Sequence, residues 1–371
     1  MQYVQRILND MSYYIFNLID RAGTIFSDSR MTGNIMVQYV GIENLIQLVR
    51  SVGVESFLTE LADYVEDDFR RWPDFEKTPR LASHSRDGVI ELMPTADAAL
   101  YGFKYVNGHP KNTRDGLQTV TAFGVLSDVR SGYPLLLSEM TLLTALRTAA
   151  TSAVAARHLA RPDSRVMAII GLGAQSEFQA TAFKALLGIT HVRVYDVDPA
   201  ASRKFHENMR DGGLDVMVAN SSQDAVLGAD IITTVTADKL QATILSDNMV
   251  AAGVHINAVG GDCPGKTELQ ADILNRGRVF VEFPEQTRIE GEIQQMPADF
   301  PVTELWEVIV GREPGRRSER DITIFDSVGF ATEDFSALRY LRDKVRDTEF
   351  YTDIDLLAEP EDPRNLFGLL K

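Results

Sequence analysis

From Val166 to Glu282 the chain alternates short apolar runs with helical segments, and that alternation limits its fold more than any other feature. Val166–Ile170 is an apolar run that breaks into Gly171-Leu172-Gly173-Ala174-Gln175-Ser176, followed by a helical segment to about Leu187. His191–Tyr195 is the next strand, closed by Asp196. A helix from about Pro199, a strand Leu214–Val218, a helix near Ser222–Leu227 and a strand Asp230–Val235 follow. Strands Val254–Val259 and Arg278–Glu282 bracket a helix expected to start at Thr267-Glu268. Such alternation predicts an α/β fold with a Rossmann-type parallel sheet and helices on both faces.

The flanks read differently. Leu81–Leu137 is mostly β, with turn signals at Arg86-Asp87-Gly88, Asn107-Gly108-His109-Pro110 and Arg130-Ser131-Gly132-Tyr133-Pro134. This predicts a second, mostly antiparallel α+β domain. Met140–Ala160 lacks Gly and Pro and is rich in Ala, Leu and Thr, so one long helix is expected between the domains. A helix after Thr332 returns the chain. Residues 35–72 read as helical and acidic on one face, with no chemistry assigned.

Two segments carry candidate chemistry. Gly171 and Gly173 stand between strand and helix, with Asp196 closing the next strand. Glycines there allow a tight turn and close approach of a pyrophosphate, the helix N-terminus favours its charge, and the acid suits ribose hydroxyls. Ser176 occupies the third position, where Gly or Ala is usual. Asp196 would repel a ribose phosphate and no Arg follows it directly, so NAD is favoured over NADP, although Arg203 lies on the next helix. The second segment, His255–Leu269, is an apolar strand that breaks at Gly260-Gly261 and presents Asp262, with Lys266 beyond. An acid at a strand's carboxyl end, beside a dinucleotide, is a candidate proton acceptor. The alternative is a loop with a solvated Asp.

Composition excludes several classes. The net charge of −16 argues against binding a nucleic acid backbone or an anionic membrane surface. No run approaches a membrane span, and Arg6, Asp10, Asp20 and Arg21 among apolar residues are unlike a signal peptide. The one cysteine, Cys263, excludes an internal disulfide and fits a reducing compartment. The 6 histidines are scattered without metal-ligand spacing, so no metal site is expected. The reading is a soluble cytoplasmic protein.

With these residues in view, the sequence resembles the ornithine cyclodeaminase/μ-crystallin family from about Asp68 to Phe335. The resemblance rests on TPRLASHS (78–85), ELMPTAD (91–97), YGFKYVNGHPKN (101–112), TALRTAATSA (144–153), GLGAQSEFQA (171–180), VGGDCPGKTEL (259–269) and FDSVGFA (325–331). The FKYVNGHPKN and GDCPGKTEL blocks point to the cyclodeaminase branch. The resemblance implies a homodimer. It implies a substrate-binding and dimerisation domain (1–148), an NAD domain (149–325) and a C-terminal return to the former (326–371). The implied reaction is L-ornithine to L-proline and ammonia, with NAD used catalytically. It puts Arg80, Lys104 and Arg147 on the substrate α-carboxylate, Glu91 facing the distal amine, Val328 against substrate and Asp262 as acid/base. Thr119, Arg147, Ala174, Gln175, Asp196, Thr236, Val259, Gly260, Gly261, Asp262, Lys266 and Ser327 match cofactor-contacting positions. Residues before about Asn34 look like an extension on which the family does not inform.

The residue chemistry agrees, with bland alternatives beside it. A dibasic amino acid needs a positive clamp for its carboxylate and a negative group for its side-chain ammonium, and arginine suits a bidentate hold. Arg80, at a strand's start, would ordinarily be solvated, and Lys104 and Glu91 could face solvent by strand alternation. Arg147 lies in a helix expected to be buried, where it needs an anion; the alternative is an internal salt bridge with Glu139 or Asp115. Cys263 reads as small loop filler, and His84 and His109 as structural hydrogen bonders. Sibling activities on one fold remain open: a lysine cyclodeaminase, a ketimine reductase or amino-acid dehydrogenase, or a non-enzymatic crystallin-like binder. The set Arg80, Lys104, Arg147 and Asp262 weighs against the last, since a binder needs no base.

Overall fold

Two sheets divide the strands of the computed structural model, which describes residues 36–236 and 243–371. The segment before Asn34 lies outside the described residues. The strands are β1 (Val37–Val40), β2 (Glu76–Lys77), β3 (Leu81–His84), β4 (Val89–Ala96), β5 (Leu100–Gly108), β6 (Ala122–Asp128), β7 (Pro134–Glu139), β8 (Val166–Ile170), β9 (His191–Tyr195), β10 (Asp215–Val218), β11 (Ile231–Thr234), β12 (His255–Ala258), β13 (Arg278–Val281), β14 (Thr303–Glu304) and β15 (Thr323–Asp326), with a further short strand, β16 (Thr352–Ile354), after the last helix. The helices are α1 (Ile42–Val52), α2 (Val54–Arg70), α3 (Thr141–Leu159), α4 (Ser176–Leu187), α5 (Pro199–Met209), α6 (Ser222–Val226), α7 (Ala271–Arg276), α8 (Pro284–Glu290), α9 (Leu305–Ile309) and α10 (Ala331–Val345).

The second sheet is 8-stranded and parallel, in the order β10-β9-β8-β11-β12-β15-β13-β14. From β8 the chain steps outward to β9 and β10, then crosses to β11 on the other side. That reversal opens a crevice at the carboxyl ends of β8 and β11, the usual ligand position in such sheets. Pairing runs Ile170 with Tyr195 and Thr234, Thr234 with Ala258, Ala258 with Asp326, and Asp326 with Val281. One row of strand ends therefore carries Gly171, Asp196, Val235, Val259, Ser327 and Glu282 along a single edge. β11, β12 and β15 are buried at every position, because helices cover both faces.

The first sheet is an antiparallel meander of β3 to β7, joined by β2 on β4, with β1 added in parallel on β7. Two local expectations fail here. The stretch expected as helix from residue 35 begins with β1, and the helix that follows is interrupted at Gly53, giving α1 and α2. Its VQYV run is β-branched and aromatic, and the open edge of β7 gives it a partner.

Helix α3 joins the two sheets. Small side chains let it pack closely, and most of it is buried from Leu143 to Leu159. Position 148/149 falls within this continuous helix. Helix α10 packs on β4, β5 and β6 and on α2 and α3, and is fastened by one buried acid. Asp68 of α2 accepts hydrogen bonds from Ser336 Oγ (2.7 Å), Arg339 Nη2 (2.8 Å) and Arg71 Nε (2.8 Å). Residues 353–371 group apart from the body 38–352. They end in a short turn, Leu366–Leu370, capped by the Asn365 side chain on the Gly368 amide.

Removing Asp68 would take its acid from Arg339 in a buried site, while Arg71 keeps Asp97 and Ser336 the Thr332 carbonyl; breaking a buried pair in this way typically costs about 3–5 kcal/mol. We expect Asp68→Ala to lose about that much in urea unfolding. A loss below about 1 kcal/mol would mean that the cluster behaves as a solvated surface pair.

Candidate active site

The glycine-rich turn fits a dinucleotide. Gly171 has φ 98°, and a Cβ on it would sit 2.8 Å from the Val235 carbonyl, so only glycine lets β8 and β11 close here. Nothing lies within 4 Å of a Cβ built on Gly173, leaving its backbone open to a ligand. Ser176 departs from the usual pattern for a local reason: its buried hydroxyl donates to the Gly173 carbonyl (3.0 Å) and closes the turn. Asp196 accepts from the Leu172 amide (2.7 Å) and the Asp198 amide (2.8 Å), tying the turn to the end of β9. A groove of about 700 Å³ runs beside it, lined by Asp196, Arg203, His206 and Arg210 among others. Sequence reading missed Lys204, whose Nζ donates to the Gly173 carbonyl (2.9 Å) and pairs with Glu177. Ala174 is exposed, and Gln175 keeps a buried Oε1 with no hydrogen bond among the described residues.

The loop bearing Asp262 is held by buried acids. Glu268 accepts from the Thr236 amide (2.8 Å) and hydroxyl. Its carboxylate lies against Gly260, where a Cβ would overlap it. Glu292 accepts from the Glu268 amide (2.7 Å) and the Leu269 amide (3.0 Å), and Asp326 from the Glu292 (2.8 Å) and Ile293 (2.9 Å) amides. Burial raises the pKa of all three, that of Asp326 to about 7. Lys266 is buried; its Nζ donates to the Thr236 carbonyl (2.7 Å) and lies 3.5 Å from Asp262 Oδ1. Asp262 itself is open, its side chain 59% exposed. Thr267-Glu268 does not start a helix. Glu268 is spent on Thr236, Leu269 bridges to Leu245, and α7 begins only at Ala271.

The three clamp cations are buried and already paired with acids. Arg80 Nη1 donates to Glu91 (3.1 Å), its Nη2 to the Val328 (2.7 Å) and Gly329 (2.8 Å) carbonyls, and its Nε lies 3.2 Å from Glu290. Lys104 lies 2.8 Å from Asp334 Oδ2. Burial, with the Arg147 charge beside it, lowers its pKa to about 8 against the pull of Asp334. Arg147 donates to Glu333 (2.6 Å) and pairs with Asp334 (2.8 Å). Glu139 and Asp115 are not its partners: Glu139 caps the amides of Thr141 and Leu142 at the start of α3, and Asp115 is exposed. Glu282, its pKa raised by burial, accepts from Ser327 Oγ (3.0 Å) and the Gly329 amide (3.1 Å).

Arg80, Glu91, Lys104, Arg147, Val328 and Ser327 thus come together where β3 to β5, α3, α10 and the end of β15 meet. Asp262 joins them electrostatically, since its charge acts on Arg80 together with those of Glu290 and Glu91. Thr119 stands apart on the loop before β6, its carbonyl accepting from the His109 amide (2.8 Å). No hydrogen bond or ion pair among the described residues joins it to the others. His84 is exposed, and His109 contacts the Asn107 amide group (3.0 Å). Sequence reading missed Glu282, Glu290, Glu333 and Asp334. The signal for the last two was their place in the first turn of α10, where carboxylates favour the helix dipole.

The chain is similar to known proteins over most of its length. The family model for the ornithine cyclodeaminase/mu-crystallin family matches residues 42–349. An ornithine cyclodeaminase of Brucella suis biovar 1 is 69% identical over 335 residues, 90% of this chain and 94% of that protein. Among solved structures, a lysine cyclodeaminase studied for recognition of L-lysine, L-ornithine and L-2,4-diaminobutyric acid aligns at TM-score 0.84 and 30% identity. It covers 90% of this chain and 100% of that one. An archaeal alanine dehydrogenase dimer with bound NAD aligns at TM-score 0.80 and 30% identity, over 87% and 100%. With a matching family model, a relative of this identity and the fold they share, the chain belongs to the ornithine cyclodeaminase/mu-crystallin family.

Proposed function

We propose that the site converts L-ornithine to L-proline and ammonia, with Asp262 as its acid/base. The observation that carries the reading is the meeting of three buried cations with Glu91 and Asp262 beside an open glycine-rich turn. Arg80, Lys104 and Arg147 receive the α-carboxylate, each exchanging part of its present pairing for the ligand. Glu91, released from Arg80, faces the distal ammonium. Val328 borders the substrate, its carbonyl fixing the Arg80 guanidinium.

The cofactor is NAD, and the residues present fit it. Gly171, Gly173, Ala174 and Gln175 would receive the pyrophosphate, and Asp196 the ribose hydroxyls. Thr236, Val259, Gly260, Gly261, Lys266 and Ser327, along the carboxyl edge, would border the nicotinamide end. We include Thr119 and Arg147 in the same set on family position. When bound, NAD supplies the hydride acceptor for Cα and returns the hydride after ring closure. Asp262 takes the proton of the α-ammonium, so that the free amine can push the hydride off Cα, and hands it back as ammonia leaves. Ring closure draws on proximity, since both reacting atoms belong to one held molecule.

We further propose a homodimer formed through the outer face of the first sheet. Leu81, Ile90, Leu92, Tyr101 and Phe123 are exposed there, and Tyr105 stacks on Phe123. A solvent-facing antiparallel sheet ordinarily alternates to polar residues on that side. A second copy of the chain would cover this face, and the neighbouring alanine dehydrogenase is a dimer. The sheet with α10 forms the substrate and dimerisation part, and the parallel sheet the NAD part. NAD-linked chemistry and a lone cysteine outside any disulfide suit the cytoplasm, where we place it.

With L-ornithine and substoichiometric NAD, we expect many equivalents of proline and ammonia per NAD, without steady accumulation of NADH. Stoichiometric NADH would indicate an ordinary dehydrogenase. Asp262→Asn should fold and bind NAD yet lose at least about a hundredfold in turnover, the scale of general acid–base catalysis. A variant within a few-fold of the parent at neutral pH would exclude Asp262 as the acceptor. Sedimentation should give twice the chain mass, and Phe123→Lys should shift it toward one; a parent chain sedimenting as a monomer would refute the interface.

A further inference from the structure

Glu290 is the last residue of α8, followed by Gly291, and is 4% exposed. Its Oε2 is buried and accepts no hydrogen bond among the described residues. The nearest cation is Arg80, whose Nε lies 3.2 Å away while its Nη1 is given to Glu91. The charged groups facing Glu290 come from three elements: Arg80 at the start of β3, Glu91 on β4, and Asp262 on the loop after β12. It therefore faces the proposed substrate site, and the roles given above leave it without a task.

The chemistry needs a second proton acceptor. Ornithine brings two ammonium groups, and both nitrogens need a lone pair before the ring can close. Asp262 holds the α-proton until the ring has closed, so it cannot take the δ-proton that must leave before closure. Of the two acids that face Arg80, Glu91 accepts a hydrogen bond from it, while Glu290 Oε2 has none among the described residues; Glu333 Oε1 and Asp334 Oδ2 also lack one, but those acids are paired with Arg147 and Lys104. We infer that Glu290 is the base that takes the proton from the distal ammonium of the substrate, freeing that amine for ring closure. This rests on the ornithine reading above.

The step balances. The Nδ–H bond breaks and its proton goes to the Glu290 carboxylate. The electron pair left on Nδ forms the bond to Cα, and the C=N π pair moves onto the α-nitrogen. Asp262 gives its proton to the α-nitrogen and takes the one shed by the ring nitrogen, which leaves with ammonia as ammonium. After the hydride has returned, the ring nitrogen is a basic secondary amine and recovers the proton from Glu290, giving zwitterionic proline. Burial, partly offset by Arg80, raises the Glu290 carboxyl to about 7, where it can both accept and release a proton near neutral pH.

The test separates hydride transfer from ring closure. Glu290→Gln, saturated with NAD, is mixed with L-ornithine; reduced nicotinamide is followed by absorbance, and proline and ammonia by chemical quench. We expect unchanged NAD affinity, hydride transfer within about tenfold of the parent, and ring closure slowed at least about a hundredfold. The absorbance of reduced nicotinamide should then rise and persist. The residual rate should climb with pH toward about 10, where the substrate's own amine loses its proton, and Glu290→Asp should restore part of it. Proline formed at the parent rate, or hydride transfer and ring closure lost in equal measure, would overturn the assignment, the latter marking a merely structural role. If Glu290→Gln does not bind NAD, Glu290→Asp takes its place, with ring closure still slowed more than hydride transfer. A parent protein that makes no proline would refute the underlying reading instead.

Discussion

Buried charge must be paired, and the site is organised around that requirement. Arg80, Lys104 and Arg147 are nearly excluded from water, and every one is tied to at least one carboxylate from a distant part of the chain. Removing a partner from such a pair typically costs about 3–5 kcal/mol, so the pairs are kept until something replaces them. A molecule with one carboxylate and two ammonium groups would replace both sides at once: its anion would meet the cations and its cations the released acids. An amino acid lacking the second ammonium leaves an acid unpaired, and a site built for a polar group rejects the analogue without it far more strongly than it counts a methylene.

The same requirement fixes the loop that carries Asp262. Glu268, Glu292 and Asp326 each hold two backbone or hydroxyl donors, and together they brace the turn through Gly260 and Gly261 from below. Asp262 then extends from this braced base into open space, with Lys266 alongside. The proposed proton acceptor gains from such support, because braced backbone sets its reach.

Much of this was legible in the sequence, for physical reasons. Strand β8 reads as an unbroken apolar run, and β11 (IITT) and β12 (HINA) carry no acid, lysine or arginine, because helices cover both faces; β9 ends at Asp196 where the pattern stops. The long helix α3 was visible because Gly and Pro are absent from it. Asp262 stood out as an acid between glycines at a strand end. What spacing could not show is pairing across the chain: Arg147 meets Glu333, 186 positions away, and Lys104 meets Asp334, 230 positions away. Local proximity suggested Glu139 instead, which caps α3. Glu290 was silent for a similar reason, since a glutamate at a helix end reads as solvated until the fold buries it beside Arg80. Thr267-Glu268 resembled a helix start because capping and loop-bracing use the same residue types.

The central claim is that one site removes hydrogen from Cα, closes the ring and restores the same hydrogen to the same carbon. L-Ornithine deuterated at Cα, turned over with excess unlabelled NADH present and its proline examined by mass spectrometry, tests this directly. The account predicts one deuterium at Cα of each proline formed. Proline carrying none, released at the normal rate, would contradict it.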